Sequence, residues 1–569
     1  MARAGRRPRA RDPAQPLSRG PPPRPGPTAR SGRRRTRVTI AELLATAEPK
    51  EPKQLGGLID RLELERRLHG ARDTGRAIAA AALSSVRIRG IAFDSRNVGP
   101  GMLFVAVPGA HVDGHDFVAA AQAAGAAAAI VEQPVVDVEI PQLVVERSQP
   151  ALASAACWWY GDPSRELDVI GITGTDGKTT TSFLAVAALE AAGVATGLVG
   201  TVDTKIGAAR ESNTEHATTR EAPLLQATLR AMVDAGNQAA VVETTSHGLA
   251  LERVGGIAYD VAILTNLTHE HLELHGTFEA YRDAKLSLFE RLREGPSNPR
   301  KGWQKTAVVN ADDPSAGLFA GVAQEAGARI ATYGTDPAAD VRATRVEEDA
   351  RRLHVEYVAK SGSATLDLRL AGRFNVHNAL AVVALGEAVG LDPAAVRAGL
   401  EGVTGVPGRM ERIEAGQPFG VVVDYAHSPA SLRTVLELLA PVAAARGGEL
   451  IAVFGSAGER DTAKRPMMGR IAGERSRLVV VTDEDPRGED RDAILDEIAA
   501  GAEAVGRRRG SDLLLIPDRA AAIEAAFERA RPGDVVLLAG KGHERSILGP
   551  DGPTPWDEVA AAREALATL

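Results

Sequence analysis

A chain of 569 residues is too long for one hydrophobic core and should divide into about three domains. Ordinary apolar and charged fractions mark a globular protein, and a formal net charge of -7 gives no general attraction to nucleic acid or to an anionic membrane. The single cysteine, Cys157, excludes an intrachain disulfide and suits a reducing, cytoplasmic setting, while its "AACWWYG" surroundings read as packing.

Residues 1–37 are rich in Arg and Pro and carry almost nothing to bury, so they are expected to form a disordered extension without the apolar stretch of a secretory signal. Folded structure is expected from Val38. Over 38–163, "IRGIAFDSRNVGPGMLFVAV" has two apolar runs around a polar turn, and "DFVAAAQAAGAAAAIVEQ" reads as an Ala-rich helix; together they suggest a small α/β domain. From 164 to 405, "DVIGITG", "AAVVETTSHG", "DVAILTN", "TAVVNADD" and "ARIATYG" are apolar strands separated by helical segments, the rhythm of a parallel sheet. The helix "SFLAVAALEAAG" has Gly193 as its stop signal. Short strands in "ATRVEEDARRLHVEYV" and "ATLDLRLAG" look like an antiparallel insertion. A further α/β domain, 406–569, is expected from "GVVVDYAH", "ELIAVFGSAGERD", "RLVVVTDEDPR", "DLLLIPD" and "DVVLLAGKGHE". No apolar run is long enough to span a bilayer.

Most of these strands end in polar residues: Glu243 and His247, Asn266 and His271, Asp424 and His427, then Arg460, Arg487 and Glu544. Ligands of open α/β sheets bind beyond the carboxyl ends of strands, so two such edges suggest a site in a cleft between domains. "GITGTDGKTTT" (171–181) supplies the phosphate cradle. The strict phosphate-loop pattern fails by one position, with Ile172 where Gly is expected. The physics still holds, because Gly174 and Gly177 free the backbone to present N–H groups at a helix N-terminus. Lys178 can reach outer phosphates, and the Thr179 hydroxyl can ligate Mg²⁺. Glu243 is a second oxygen donor, while His269, His271 and His275 match no common zinc spacing.

Taken together, "GTDGKTTT", "TTSHGLALERV", "TNLTHEHLELHG", "YRDAK", "GRFNVHNAL", "GRMERI", "DYAHSP", "FGSAGERD" and "AGKGHE" resemble, in order and spacing, the Mur ligase family of bacterial cell-wall synthesis. The resemblance runs from about residue 38 to the end. "FDSR" (93–96) is similar to a uridine-nucleotide site of the branch that adds a diamino acid to UDP-N-acetylmuramoyl-L-alanyl-D-glutamate. The resemblance implies a small α/β uridine-nucleotide domain, a central P-loop ATPase-like parallel sheet and a C-terminal Rossmann-like domain. It also implies ATP and Mg²⁺ as cofactors, a cytoplasmic monomer, and a place in peptidoglycan precursor synthesis, hence in cell shape and cell division.

Its mechanism would be carboxylate activation by ATP to an acyl phosphate, followed by attack of an amine. The implied ATP contacts are Gly174, Thr175, Asp176, Gly177, Lys178, Thr179 and Thr180, with Asn375 and Asn378 on the adenine side and Arg409, Asp424 and His427 from the third domain. Thr179, Glu243, His271 and Lys285 as N6-carboxylysine are the implied metal-side residues; Lys178, Glu243, His271 and Lys285 are the implied catalytic set. Phe93, Ser95, Thr218, Thr219, Thr245 and Arg253 match contacts for the muramyl dipeptide. Ala217, Leu251 and Thr245 depart from residues usual in the family. Arg460, Glu484, Asp485, Pro486, Arg487, Gly540 and Glu544 match the amino-acid site.

That site leaves the third amino acid open. An Arg can pair bidentately with a carboxylate, so Arg487 favours diaminopimelate. Asp485 stands where diaminopimelate enzymes of the family carry Asn, and a fixed negative charge would favour the bare ammonium of lysine or ornithine. Rival readings are folylpolyglutamate synthase, a small-molecule kinase, and a nucleotide-binding protein without turnover. "FDSR" and the third-domain Arg, His and Glu set oppose them.

Overall fold

Three runs of short, apolar strands build three main sheets in the computed structural model, which describes residues 38–109, 112–213, 218–268, 272–293, 302–348 and 352–569. The first sheet holds six strands between Leu68 and Val145. Within it, Ile91–Ala92 and Leu103–Val105 pair in parallel, with the turn between them crossing over rather than closing a hairpin. The Ala-rich segment after them is not one helix. Helix Val118–Ala123 stops before Gly125, whose φ of 94° is left-handed, and Ala128–Val131 becomes a fully buried strand. Alanine tolerates either state, and here tertiary burial overrides its helix propensity. The helix Ile40–Ala47, at the start of the segment assigned to the first domain, buries Ile40 and Ala47 in the core under the second sheet.

The second sheet has eleven strands. Strand Asp168–Thr173 lies at its centre, flanked in parallel by Ala239–Glu243 and Val261–Leu264. Its continuous apolar runs fit burial on both faces. The expected antiparallel insertion is instead the far edge of this sheet. Val341–Glu348 pairs in parallel with the end of Arg329–Gly334, and Leu353–Ala359 and Gly362–Leu368 then continue antiparallel. Helices Lys178–Ala191 and Phe374–Val389 pack on one face of this sheet in a single apolar cluster.

The third sheet has six strands, in the spatial order Glu411–Ile413, Gly420–Asp424, Val535–Ala539, Leu450–Phe454, Leu478–Val481 and Leu513–Leu515. Only the first strand runs antiparallel to its neighbour. Asp424, the 455–460 loop, the 482–487 loop and the 540–544 loop therefore all leave the same sheet edge.

A buried ion pair holds two of those loops. Arg519 bonds Glu558 through both Nε (2.8 Å) and Nη2 (2.6 Å), and both side chains are at 0% exposure. The same guanidinium donates to the carbonyls of Asp483 and Ala539, each at 2.8 Å. Both loops thus hang from one fixed cation supplied with its counter-charge by the C-terminal helix Glu558–Ala567. Removing one partner of a buried pair strands the other charge. Glu558→Ala should cost about 3–5 kcal/mol in denaturant unfolding, and Arg519→Met/Glu558→Leu should recover most of it. A cost below about 1 kcal/mol for the single variant would show that the pair does not bear on stability.

Candidate functional site

The phosphate loop follows directly from strand Asp168–Thr173 and feeds helix Lys178–Ala191. It needs glycine at two places. Gly174 has φ of 146°, and a side chain there would collide with the Thr265 hydroxyl. Gly177 has φ of 84°, and a side chain there would collide with Asn378 Oδ1. The neighbouring strand end clamps the loop from the other side. Thr175 N–H donates to the Asn266 carbonyl (2.9 Å), Asp176 N–H to Asn266 Oδ1 (3.0 Å), and Thr265 Oγ1 to the Asp176 carbonyl (2.6 Å). Lys178 Nζ folds back onto the carbonyls of Gly174 (2.9 Å) and Thr175 (2.8 Å). Thr180 is buried at the start of the same helix.

At the foot of the loop stands Glu243, fully buried at the end of its strand. Its Oε2 accepts from Thr179 Oγ1 (3.0 Å) and Thr201 Oγ1 (2.7 Å), and its Oε1 from Thr201 N–H (3.2 Å). The Thr201 and Thr218 hydroxyls lie 3.0 Å apart. Thr219 donates to the Glu243 carbonyl (3.1 Å) and lies 2.9 Å from the Thr245 hydroxyl. Arg253 holds the Thr219 carbonyl (3.0 Å) and pairs with Glu221 (2.7 Å). Thr218, Thr219, Thr245 and Arg253 are therefore gathered around Glu243. Phe93, exposed, and Ser95, partly buried, instead follow the edge strand Ile91–Ala92 of the first sheet.

Thr179 and Glu243 form a buried pair of hard oxygen donors, the chemistry Mg²⁺ selects when phosphate and water complete its shell. Among the described residues no group of three or more His, Cys, Asp and Glu side chains could hold a metal. His269 and His271 lie outside the described residues, as does Ala217. The His275 ring packs 5.7 Å from His247 and 5.5 Å from Tyr281. Lys285 is 1% exposed, lies 4.5 Å from the Tyr281 ring, and donates to the Gly174 carbonyl (2.7 Å). Asn378 Nδ2 donates to Asn375 Oδ1 (2.9 Å), and Asn378 Oδ1 accepts from Thr181 (3.2 Å), so Asn378 abuts the loop helix.

On the third sheet, Asp424 is buried and accepts from the amides of Met410 (2.8 Å) and Ala426 (2.9 Å). Burial raises its pKa, and the nearby Arg409 guanidinium opposes the rise. His427 Nδ1 lies 2.8 Å from the Tyr425 carbonyl. Asp485 is also buried, but its charge is already matched. Lys541, fully buried in "AGKGHE", sits between Asp485 Oδ1 (2.7 Å) and Glu544 Oε2 (2.5 Å). Leu548 N–H donates to the same Asp485 oxygen (2.9 Å). Asp485, expected to meet a substrate ammonium, here pairs with an internal one. Pro486 is buried beside it, and Gly540 faces Glu484.

Among the described residues, Arg460 and Arg487 have no hydrogen-bonding or ionic partner for their guanidinium groups, and Arg460 is exposed. Glu484 is 7% exposed, yet its buried Oε2 lacks a hydrogen bond; Ser456 Oγ nearby in the sheet edge is likewise unsatisfied. A buried carboxylate oxygen without a donor points to a ligand that supplies one.

Sequence reasoning missed Thr201, Tyr425 and Lys541. Thr201 directly follows the strand end "GLVG". Lys541 was visible as a lone Lys between two glycines after the apolar run "VVLLA", where it had to be buried and hence paired.

Models of the Mur ligase family, catalytic domain, of the Mur ligase middle domain, and of the Mur ligase glutamate ligase domain match residues 87–157, 172–386 and 408–542. The chain is 52% identical to the UDP-N-acetylmuramyl-tripeptide synthetase of Roseiflexus sp. (strain RS-1), over 85% of this chain and 95% of that protein. It is 41% identical to the UDP-N-acetylmuramoyl-L-alanyl-D-glutamate--2,6-diaminopimelate ligase of Geobacter metallireducens, over 81% and 90%. A solved structure of a ligase with that same printed name matches with a TM-score of 0.58 at 30% identity, covering 86% of this chain and 97% of that one.

One side chain at this sheet edge should report on acidity. Burial, reinforced by Arg409, pushes the His543 pKa down to about 3. The folded state then keeps the imidazole neutral, while the unfolded chain takes up a proton below its ordinary pKa near 6.5. Stability is present above that value and is lost as pH falls toward the folded value. Between neutral pH and about pH 4.5 the loss should be about 2–3 kcal/mol. His543→Asn should remove that part of the acid-induced fall in unfolding free energy; an unchanged pH slope would refute it.

Proposed function

The chain belongs to the Mur ligase family, and on that premise we propose that it is an ATP-dependent amide ligase adding a diamino acid to UDP-N-acetylmuramoyl-L-alanyl-D-glutamate. The loop amides and Lys178 hold the nucleotide phosphates, with Asn375 and Asn378 behind the loop helix and Arg409, Asp424 and His427 facing from the third sheet. Thr179 and Glu243 would hold Mg²⁺, which neutralises phosphate charge during transfer. A carbamate on Lys285 would replace a buried cation with an anion beside the loop. Thr218, Thr219, Thr245 and Arg253 place the D-glutamyl carboxylate near the γ-phosphate, while Phe93 and Ser95 contact the uridine end.

The carboxylate oxygen forms a bond to phosphorus as the bond to ADP breaks, giving an acyl phosphate. The amine nitrogen then attacks the carbonyl carbon and loses a proton. Collapse of the tetrahedral adduct expels phosphate with the C–O electron pair. The residues do this mainly by holding the reactants in line and by matching charge.

The observation that carries the choice of amino acid is the set of charges left without partners. Lys541 consumes Asp485, so Arg460, Arg487 and Glu484 remain. Two guanidiniums and one carboxylate match the two carboxylates and distal ammonium of diaminopimelate. Lysine or ornithine would leave one guanidinium without a counter-charge. A site built for a polar group rejects analogues that lack it. We expect ligation of diaminopimelate with kcat/KM at least about 100-fold above lysine or ornithine. Lysine or ornithine as the better substrate would refute the charge match; no ligation of any of the three would refute the ligase reading.

Asp485→Asn follows from the same pairing. It deprives Lys541 of one carboxylate and should lower kcat/KM for every diamino acid by about tenfold, leaving the diaminopimelate-to-lysine ratio within about twofold. A selective shift of that ratio, measured by competing the two amino acids, would restore the simple charge reading of Asp485.

A further inference from the structure

Tyr425 stands between the two groups of third-sheet side chains that the proposed reaction needs. Its ring carries the Arg409 guanidinium 4.7 Å from its centroid, and the His427 ring lies 4.7 Å away. Both belong to the nucleotide side. Its hydroxyl donates to Glu544 Oε1 at 3.0 Å, and Glu544 belongs to the amino-acid side. Lys541 grips the other oxygen of that carboxylate.

The ring has little room to yield. His543 flanks it at 5.0 Å, and a side chain at Gly542 would come within 2.9 Å of Tyr425 Cβ. Asp424, the preceding residue, is pinned by two backbone amides. A displacement of Arg409 or His427 is therefore passed to the phenol ring, and from its hydroxyl to Glu544. Burial and the neighbouring Glu544 carboxylate keep the phenol protonated, so it remains a donor.

We propose that Tyr425 is a positioning residue that couples nucleotide engagement at Arg409 and His427 to the placement of Glu544, so that each ligand tightens the site for the other. This rests on the ligase reading. The coupling must be reciprocal, since it is a free energy shared between two sites.

Tyr425→Phe keeps the ring under Arg409 and removes only the hydroxyl. Its KM for the diamino acid should rise about tenfold, the loss expected for a hydrogen bond to a charged group, while nucleotide affinity measured without the diamino acid stays within about twofold of wild type. Diamino-acid binding is then measured by calorimetry with and without a non-hydrolysable ATP analogue, in the presence of Mg²⁺ and the muramyl dipeptide. The nucleotide should tighten binding in the wild type and cease to do so in Tyr425→Phe. Glu544→Ala removes the acceptor at the other end of the same bond and should lose the enhancement too. In that background Tyr425→Phe should add nothing further.

An unchanged diamino-acid KM with full nucleotide enhancement would overturn the inference. So would an effect of Tyr425→Phe that persists undiminished in the Glu544→Ala background. A wild-type enzyme that ligates no diamino acid would overturn the ligase reading, and this inference with it.

Discussion

The carboxylate of Glu243 is the point on which the nucleotide side of the molecule depends. It is buried at the end of a central strand, and three hydrogen bonds from Thr179 and Thr201 satisfy it. Thr179 opens the phosphate-loop helix, while Thr201 reaches on to Thr218, and the Glu243 carbonyl takes Thr219. Glu243 thus ties the loop helix to Thr201 and Thr219. Effective concentration depends on such placement more than on affinity. The clamp from Thr265 and Asn266 serves the same end, since a loop that holds phosphate through its amides must not relax.

The third sheet solves a different problem. Several charges must lie at one edge without collapsing onto each other. Lys541 ties Asp485 to Glu544, and Arg519 with Glu558 fixes the backbone from which Glu484 and Gly540 project. These internal pairs match charges that would otherwise stand open at that edge. A carboxylate's presence in a motif is therefore weak evidence for what it binds until its partners are known.

Much of the architecture was legible in the sequence. Apolar runs ending in Glu243, Asp424 and the 484–487 segment marked strands with chemistry at their carboxyl ends, because that is where open α/β sheets expose their loops. What failed did so for identifiable reasons. The alanines of 126–129 carry no conformational preference strong enough to resist burial in the first sheet. The strands after residue 341 alternate like an independent ribbon, yet a short parallel pairing of Tyr333 and Gly334 with Val341 and Arg342 joins them to the central sheet. The pairing of Asp485 was not legible, since its partner Lys541 lies 56 residues away in sequence. Thr201 escaped notice because a hydroxyl that supports a ligand residue has no motif of its own.

The account stands on activation of a carboxylate by phosphoryl transfer. Its most direct test labels the reacting carboxylate of the D-glutamyl residue with heavy oxygen and follows the label through one turnover with ATP, Mg²⁺ and diaminopimelate. An acyl phosphate requires one labelled oxygen to leave with phosphorus, so each molecule of inorganic phosphate formed with product should carry one label. Unlabelled phosphate, with the heavy oxygen absent from the phosphate pool, would contradict the mechanism.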